Sequence, residues 1–318
     1  MNKSDSIYVA GHRGLVGSAI VRELERQGYE NLVLRTREEV DLLNFDQVNE
    51  FLAAEQPSYV IDAAAKVGGI LANDTHAADF IRDNLRIQTN LIEASHAHGV
   101  KKFVFLGSSC IYPRLAPQPI REEYLLSGPL EPTNEWFTVA KIAGIKMCQA
   151  YRKQHGFNAI CLMPTNLYGP GDNFDLKSSH VLPALIRKFH DAKVAGSESV
   201  TIWGTGTPRR EFLYVDDLAR AVIFLAENYD DGEIINVGVG EDISIADLAS
   251  LVARTVGFSG KLEFDHSKPD GTPRKLLDVS RLMSLGWQPK TTLDDGIVQT
   301  YAWFTDCFSE DGADECGA

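Results

Sequence analysis

Three glycines near the start of the chain have a spacing suited to phosphate binding. Gly11, Gly14 and Gly17 form a G-x-x-G-x-x-G pattern after a short β-branched run and at the start of an amphipathic segment. Glycine lets backbone N–H groups approach a pyrophosphate closely, and the N-terminus of the following helix adds partial positive charge. This strand–loop–helix context predicts a dinucleotide-binding loop. The alternative is an ordinary glycine-rich turn.

The residues after the second predicted strand indicate which dinucleotide would bind. NAD-binding units carry an Asp or Glu there for the ribose 2′-hydroxyl, whereas this chain has Arg35, Thr36 and Arg37. A guanidinium can bind a 2′-phosphate through two hydrogen bonds, and Arg13 of the glycine loop could reach the same group. We therefore expect NADP, with Arg37 as the contact. The alternative is that Arg35 and Arg37 are solvated surface charges.

Groups that could exchange protons occur at two further places. The segment LGSSCIYP, residues 106–113, follows a predicted central strand, and ligands bind at the carboxyl ends of strands in open parallel sheets. Thiols and imidazoles, with ordinary pKa values of ~8.5 and ~6.5, both exchange protons near neutral pH. Cys110 in this segment and His180 further along the chain are residues of these two types. Taken alone, Cys110 also fits a small buried thiol, and His180 fits a residue at a helix N-terminus.

The elements that would position these residues alternate along the first half of the chain. Strands are predicted at 6–10, 32–34, 59–62, 103–107 and 159–163, and helices at 15–27, 45–54, 77–98 and 139–155. This alternation predicts an α/β fold with a doubly wound parallel sheet. We assign residues 1–167 to a Rossmann domain, to which 212–238 would return.

Proline and glycine become frequent after Pro164, and the pattern changes. Helices are predicted at 181–192, 215–228, 244–256 and 293–304, and a strand at 200–203. We interpret residues 168–308 as a smaller, mixed α/β lobe that binds substrate. The acidic residues 309–318 are expected to form a disordered tail.

Composition excludes several classes of function. The net charge of −13 over 318 residues argues against nucleic-acid partners, which need a basic face. No apolar run approaches the ~20 residues that cross a bilayer, and no signal peptide is visible. A cytoplasmic protein without membrane partners is therefore expected.

The five cysteines do not suggest a metal site. Cys110, Cys148, Cys161, Cys307 and Cys316 include no C-x-x-C pair and have no nearby histidine at metal-ligand spacing. Such a scattered set in a chain without a secretion signal predicts reduced thiols and no bound metal.

Several motifs together resemble a known family. The glycine loop, the serine after a central strand, a lysine in a helix and R-x-F-x-Y-V-D-D at 210–217 resemble the extended short-chain dehydrogenases/reductases (extended SDRs) that act on nucleotide sugars. Among these, the resemblance is to the GDP-L-fucose synthases and covers 7–304. The segments that carry it are GHRGLVGSAI, LRTR, AAAKVGGI, GSSCIYP, EPTNE, AKIAGIK, MPTNLYGP, SHV-PALI and GTPRKLLDV.

The resemblance implies an NADPH-dependent enzyme that converts GDP-4-keto-6-deoxy-D-mannose to GDP-L-fucose by 3,5-epimerisation and 4-keto reduction. The C4 ketone acidifies the protons on C3 and C5, and Cys110 and His180 match the residues that invert both carbons. Ser108 matches the hydroxyl that hydrogen-bonds the C4 oxygen. Lys141 matches the amine that binds the nicotinamide ribose and lowers the pKa of a catalytic tyrosine. The alternatives are an inactive binding homologue and an enzyme for another GDP-deoxysugar, such as a heptose.

The resemblance also implies the binding residues. The cofactor would contact Gly11, His12, Arg13, Gly14, Leu15, Val16, Gly17, Arg37, Leu106, Gly107, Ser108, Ser109, Lys141, Pro164, Thr165, Asn166, Leu167 and His180. The GDP-sugar would contact Lys188, Trp203, Arg210 and Asp270. Lys188 stands where the family can have arginine, which weakens bidentate phosphate binding. Arg210 could instead pair with Glu211 or Asp217.

A homodimer is a further implication of the resemblance. In the family, the long helix here at 77–98 and the helix carrying Lys141 pack against their two-fold copies. The apolar residues proposed for both the sheet and the partner are Ile87, Leu91, Ile92, Ile142, Ile145 and Met147.

One position departs from the family pattern. The catalytic tyrosine lies four residues before the lysine, on the same helix face, and here that position is Phe137. Phenylalanine cannot donate a proton, and Thr138 points about 100° away on a helix. Nothing in the sequence places the hydroxyl of Tyr112 or Tyr168 at the missing position. We expect impaired reduction, with the remaining site residues present.

Overall fold

The computed structural model describes residues 1–176, 178–268 and 270–308. The predicted tail at 309–318 lies outside them. The strands are β1 (Ile7–Ala10), β2 (Leu32–Val33), β3 (Tyr59–Asp62), β4 (Lys102–Leu106), β5 (Ala159–Pro164), β6 (Asn166–Tyr168), β7 (Ser199–Trp203), β8 (Arg209–Arg210), β9 (Phe212–Tyr214), β10 (Ile235–Val237), β11 (Ile243–Ser244), β12 (Lys261–Asp265) and β13 (Arg274–Lys275).

The helices alternate with the first strands and continue into the second half. They are α1 (Leu15–Arg26), α2 (Phe45–Glu55), α3 (Ile70–Thr75), α4 (Ala77–Ala97), α5 (Glu135–His155), α6 (Val181–Val194), α7 (Val215–Asn228), α8 (Ile245–Val256), α9 (Ser280–Ser284) and α10 (Leu293–Cys307).

A six-stranded parallel sheet organises the first half, in the order β10-β5-β4-β3-β1-β2. This confirms the predicted doubly wound fold. The strand order reverses between β1 and β3, and ligands of such sheets bind at the carboxyl ends next to this point. The glycine loop begins there. The strand β10 pairs with β5, so residues far along the chain extend the sheet. The domain boundary at 167 remains a prediction.

The sheet is buried on both faces. In β4, Phe103 and Phe105 pack towards α4 and α5, whereas Val104 and Leu106 pack towards α1 and α7. This alternation follows from the two-residue period of a strand. Both faces are apolar, which explains why the strand reads as a continuous hydrophobic run in the sequence.

The helix that carries Lys141 begins four residues earlier than predicted. It starts at Glu135 instead of residue 139, because a 3-10 turn at Pro132–Asn134 leads directly into it. Phe137 and Lys141 therefore lie on the same helix, one turn apart. Helices α1, α2 and α4 have bounds within one residue of the predicted ones.

The second half contains a separate apolar core around α6, α8 and α10. Its parallel pair β7–β12 includes a strand, β12, that the sequence did not predict, because its residues are mostly charged or only half-buried. None of the helices in the described parts of the chain is long and apolar enough to cross a membrane.

The prediction of reduced thiols is wrong for Cys307. Cys110, Cys148 and Cys161 are free thiols, but Cys307 at the end of α10 is disulfide-bonded. Cysteine number and spacing do not reveal which sulfurs a fold brings together, since a disulfide depends on Cα separation and Cβ direction.

Candidate active site

The glycine loop fits a pyrophosphate. Gly11 has a left-handed φ of 76°, and a Cβ on Gly17 would overlap the carbonyl oxygen of Gly11. Gly14 caps α1 without a side-chain hydrogen bond, so the first N–H groups of the helix face the loop without a side-chain acceptor. The buried Nδ1 of His12 has no hydrogen-bond partner in the structure. These are the features expected of a loop that receives an anionic group at a helix N-terminus.

The two candidate arginines after β2 have different surroundings. Arg35 donates to Glu55 at 2.5 Å and lies over the Phe51 ring, so it is engaged within the protein. Arg37 and Arg13 are exposed. Hydrogen bonds within the Glu38 turn, followed by the charges of Arg13 and Arg37, lower the pKa of Glu38. The two arginines therefore concentrate positive charge at the same rim.

The other predicted cofactor positions lie at one edge of the sheet. Leu106 ends β4 and residues 107–109 follow it, whereas 164–167 end or follow the neighbouring strand β5. The side chains of Thr165 and Asn166 both donate to the Glu211 carbonyl, at 3.3 and 2.7 Å. These bonds fix the loop after β5 against the strand that leads into α7.

Lys141 lies deep in the protein beside Phe137. Its Nζ donates to the Leu106 carbonyl at 2.9 Å and lies 6.0 Å from the centre of the Phe137 ring. Burial lowers the pKa of Lys141, and the charge of Asp62 opposes this shift. Burial in turn raises the pKa of Asp62 to about 6, with Lys141 opposing. Lys141 thus faces a hydrocarbon ring at the position where the resemblance implies a phenol.

The nearby hydroxyls are engaged elsewhere. The Thr138 Oγ1 lies 3.4 Å from both the Cys110 carbonyl and the Asn134 Oδ1. Tyr112 donates to Asn236 at 2.6 Å, and Tyr168 donates to the Leu293 carbonyl at 3.5 Å. Neither tyrosine supplies the hydroxyl that Phe137 lacks.

Cys110 lies among polar groups. Its backbone N–H donates to Ser108 Oγ at 3.2 Å, and the amine of Lys275 donates to its sulfur at 3.2 Å. Burial opposes ionisation of the thiol, but Lys275, Ser108 and Asn134 together bring the pKa of Cys110 below its usual value. Burial, and then the charge of Lys275, lower the pKa of His180. The structure therefore brings Cys110 and His180 under the influence of the same amine.

The four predicted substrate-binding residues belong to the second half of the chain. The indole of Trp203 is 63% exposed, and the amine of Lys188 lies 5.4 Å from it while donating to the Thr201 carbonyl at 3.3 Å. Asp270 accepts two hydrogen bonds from Thr205, at 2.7 and 2.9 Å. These contacts fix the positions of the side chains. They do not test whether the side chains bind a ligand.

Arg210 does not pair with the two carboxylates considered from the sequence. Glu211 accepts hydrogen bonds from the backbone of Val239, Gly240 and Leu277. Asp217 accepts from Arg220 and from the backbone at 290 and 291. Arg210 itself donates to the Arg209 carbonyl at 2.8 Å, and Glu131 and Asp270 act on it only at longer range.

Sequence reasoning assigned no role to Lys275 or Asp62. Lys275 lies in the segment GTPRKLLDV, which contributes to the family resemblance but does not by itself indicate a role for the lysine. It is distant from Cys110 in the chain and shares no local spacing with it. Asp62 ends β3, and a carboxylate at the end of an apolar strand was an available signal.

Comparisons with known proteins identify the family of this chain. The model of the NAD dependent epimerase/dehydratase family matches residues 7–238. GDP-L-fucose synthase 1 of Arabidopsis thaliana is 62% identical, over 95% of this chain and 94% of that protein. A GDP-6-OMe-4-keto-L-xylo-heptose reductase structure from C. jejuni has a TM-score of 0.91 and 42% identity, covering 96% of this chain and 99% of that one.

A structure of a GDP-L-fucose synthetase from Naegleria fowleri bound to NADP has a TM-score of 0.89 and 29% identity. It covers 98% of this chain and 97% of that one. These similarities extend across both halves of the molecule, including the glycine loop and the second lobe. The chain therefore belongs to the NAD dependent epimerase/dehydratase family and, within it, to the GDP-L-fucose synthase family.

Proposed function

We propose that this chain converts GDP-4-keto-6-deoxy-D-mannose to GDP-L-fucose by 3,5-epimerisation and 4-keto reduction, and that Phe137 slows the reduction. The observation that carries the proposal is the contact between the amine of Lys275 and the sulfur of Cys110, next to Ser108. This is a thiol held by a cation beside a hydroxyl that can donate to a ketone oxygen, and the charge of the same cation acts on the imidazole of His180. The relatives named GDP-L-fucose synthase support the same substrate.

Family membership makes the chain an NADP-dependent oxidoreductase that acts on GDP-sugars. The glycine loop would hold the pyrophosphate, Arg13 and Arg37 the 2′-phosphate, and Lys141 the nicotinamide ribose. When bound, NADPH supplies the hydride that reduces the C4 ketone. The chain itself has to position the sugar and move the protons.

Proton transfer at C3 and C5 falls to Cys110 and His180. The Cys110 thiolate removes a proton from a carbon beside the ketone, and the charge passes to the ketone oxygen as an enolate. Ser108 donates a hydrogen bond to that oxygen, which stabilises the developing charge. His180 delivers a proton to the opposite face of the ring, so that the carbon is inverted.

Reduction needs a proton for the C4 oxygen, and this is the step that Phe137 affects. General acid catalysis contributes ~10²–10⁴ in rate, and a lost oxyanion donor costs ~10²–10³. Because one hydroxyl would serve both purposes, we expect a loss of ~10³. The bonds of Thr138, Tyr112 and Tyr168 to other groups support this expectation.

A second candidate is an enzyme for another GDP-deoxysugar. It is favoured by the similarity to a heptose reductase structure at a TM-score of 0.91. A third is a binding homologue that retains both ligand sites, favoured by the missing phenol at Phe137. All three share the cofactor loop and differ in what happens to the keto sugar.

An NMR time course of the keto sugar in D₂O, with and without NADPH, separates the candidates. Slow entry of deuterium at C3 and C5 with little reduction supports a crippled epimerase-reductase. Rapid reduction would contradict the assignment of the lost acid to position 137. Neither exchange nor reduction, with NADPH bound, favours the binding homologue, and turnover of a GDP-heptose alone favours the second candidate.

We also propose a homodimer through α4 and α5. Four of the six predicted residues are buried in the core of the chain itself, so they cannot also serve a partner; these are Leu91, Ile92, Ile142 and Ile145. Half-buried Ile87 and Met147, with exposed Val139 on α5, remain for a partner. Sedimentation at micromolar concentration should give the mass of two chains, and a monomer would refute the assembly. The division at residue 167 and a cytoplasmic location remain proposals as well.

A further inference from the structure

The sulfur of Cys110 has a cation in direct contact that the proposed steps do not use. The amine of Lys275 donates to the sulfur at 3.2 Å. An ammonium group at this distance favours a thiolate over a thiol, because its charge stabilises the negative charge that burial alone would disfavour.

The register of a small sheet explains why this lysine faces the site. The strands β8 and β13 pair in parallel, with Arg274 opposite Arg209 and Lys275 opposite Arg210. Arg209 and Arg274 both donate to Asp242, at 2.7 and 2.5 Å. Since side chains alternate along a strand, the neighbours Arg210 and Lys275 project from the opposite face. That face borders Cys110.

The other charges around the cavity are largely neutralised by partners. The cavity that Cys110 lines also exposes Arg114, Glu131 and Arg274. Arg114 pairs with Glu131 at 3.2 Å, and Arg274 pairs with Asp242. Arg210 acts on Cys110 at longer range, and from α6 His180 shares the field of Lys275. Lys275 is therefore the cation in contact with the sulfur.

We propose that Lys275 is the positioning residue of the epimerisation step, pairing with the Cys110 thiolate and aiming it into the cleft. This inference rests on the proposed function for its meaning, but the ion pair itself can be tested without substrate. Lys275 acts on the thiolate through its charge and does not itself transfer a proton to the substrate.

The proton balance of the step is simple. The thiolate takes a proton from a carbon next to the ketone and becomes a thiol, while the C–H electron pair forms the enolate. The proton that completes the inversion comes from the imidazolium form of His180, which becomes neutral. The charge of Lys275 also disfavours that imidazolium. It therefore shifts the titrations of both the Cys110 thiol and the His180 imidazole towards lower pH.

The first test measures the ionisation of the Cys110 thiol in the full chain. Iodoacetamide labelling of the Cys110 peptide, followed by mass spectrometry across pH, gives the midpoint of thiolate formation. In Lys275→Met the midpoint should rise by about one pH unit or more, which is about tenfold less thiolate at any pH below it. Lys275→Arg should restore most of the shift, because it retains the charge. The peptides of buried Cys148 and Cys161 serve as internal controls.

An unchanged midpoint in Lys275→Met, with NADPH binding intact, would overturn the proposal. If that variant fails to fold, Lys275→Gln replaces it, and an unchanged midpoint there has the same meaning.

The second test is the pH profile of C3 and C5 deuterium exchange. Both limbs should move to higher pH in Lys275→Met, whereas a merely structural role would lower the rate without moving the limbs. A raised labelling midpoint without exchange at any pH supports the ion pair and counts against the proposed function instead.

Discussion

Cys110 lies close to the start of the helix that carries Phe137, since Thr138 Oγ1 is 3.4 Å from the Cys110 carbonyl, and the surroundings of the two residues differ in kind. The Cys110 sulfur contacts an amine, and the nearby Ser108 and Asn134 side chains add hydrogen bonds that favour the charged form. At position 137, the amine of Lys141 faces a ring that can neither donate nor accept a proton. The surroundings of Cys110 suit proton exchange, whereas those of Phe137 lack the group that would complete a reduction. In the proposed function the two steps thus depend on separate groups, so one step can be impaired while the other persists.

The largest expected effect tests the Phe137 side. Phe137→Tyr should raise the rate of NADPH oxidation with the keto sugar by ~10³, because the new phenol regains the general acid. Lys141, one helical turn away, would lower the pKa of that phenol. Phe137→Leu is the matched control and should give no gain. An equal rate in the Tyr variant and the parent chain would show that another group already supplies the proton.

Removal of the thiol tests the Cys110 side. Cys110→Ser should lower deuterium exchange at C3 or C5 by ~10²–10⁴, because a hydroxyl is a much weaker base than a thiolate. The same NMR samples report both exchange and reduction. When Cys110→Ser is combined with Phe137→Tyr, the rate of deuterium exchange and the rate of product formation should both fall. Exchange that survives in Cys110→Ser would remove Cys110 from the mechanism.

A smaller effect is expected at the cofactor rim. Charge-assisted hydrogen bonds contribute about 1.5–3 kcal/mol, so Arg37→Ala should reduce the preference for NADPH over NADH by about tenfold or more. Arg35→Ala is the control, because Arg35 is already bound to Glu55. Titration of both dinucleotides gives the ratio. If Arg35→Ala changes the preference and Arg37→Ala does not, the two assignments are reversed.

The smallest expected effect distinguishes the faces of β8. Arg210→Ala should weaken binding of the GDP-sugar by about tenfold and leave NADPH affinity unchanged. Arg209→Ala, on the face that pairs with Asp242, should leave both affinities unchanged. Calorimetric titration of each variant measures them. Equal losses in the two variants would indicate that the small sheet has been disturbed as a whole.

Much of the fold was predictable because its signals are local. The glycine loop, the strand–helix alternation and the four-residue spacing of Phe137 and Lys141 all depend on neighbours in the chain. Apolar runs identified five of the six strands of the main sheet, because both of its faces are covered, whereas β10 was not predicted as a strand. The start of α5 was missed by one turn, since the preceding 3-10 turn merges into the helix.

The sequence by itself determined the type of fold, the phosphate loop and the absence of a phenol at position 137. Helical period and strand alternation arise from backbone hydrogen bonds and steric limits that act over a few residues. Only the tertiary structure decided that Lys275 contacts Cys110, that Arg35 is engaged while Arg37 is exposed, and that Cys307 is disulfide-bonded. Each of these depends on the register or packing of segments far apart in the chain. Residue type alone does not specify such distant pairings. A lysine or arginine side chain is well hydrated in the unfolded chain, and it acquires a particular partner only when the chain folds.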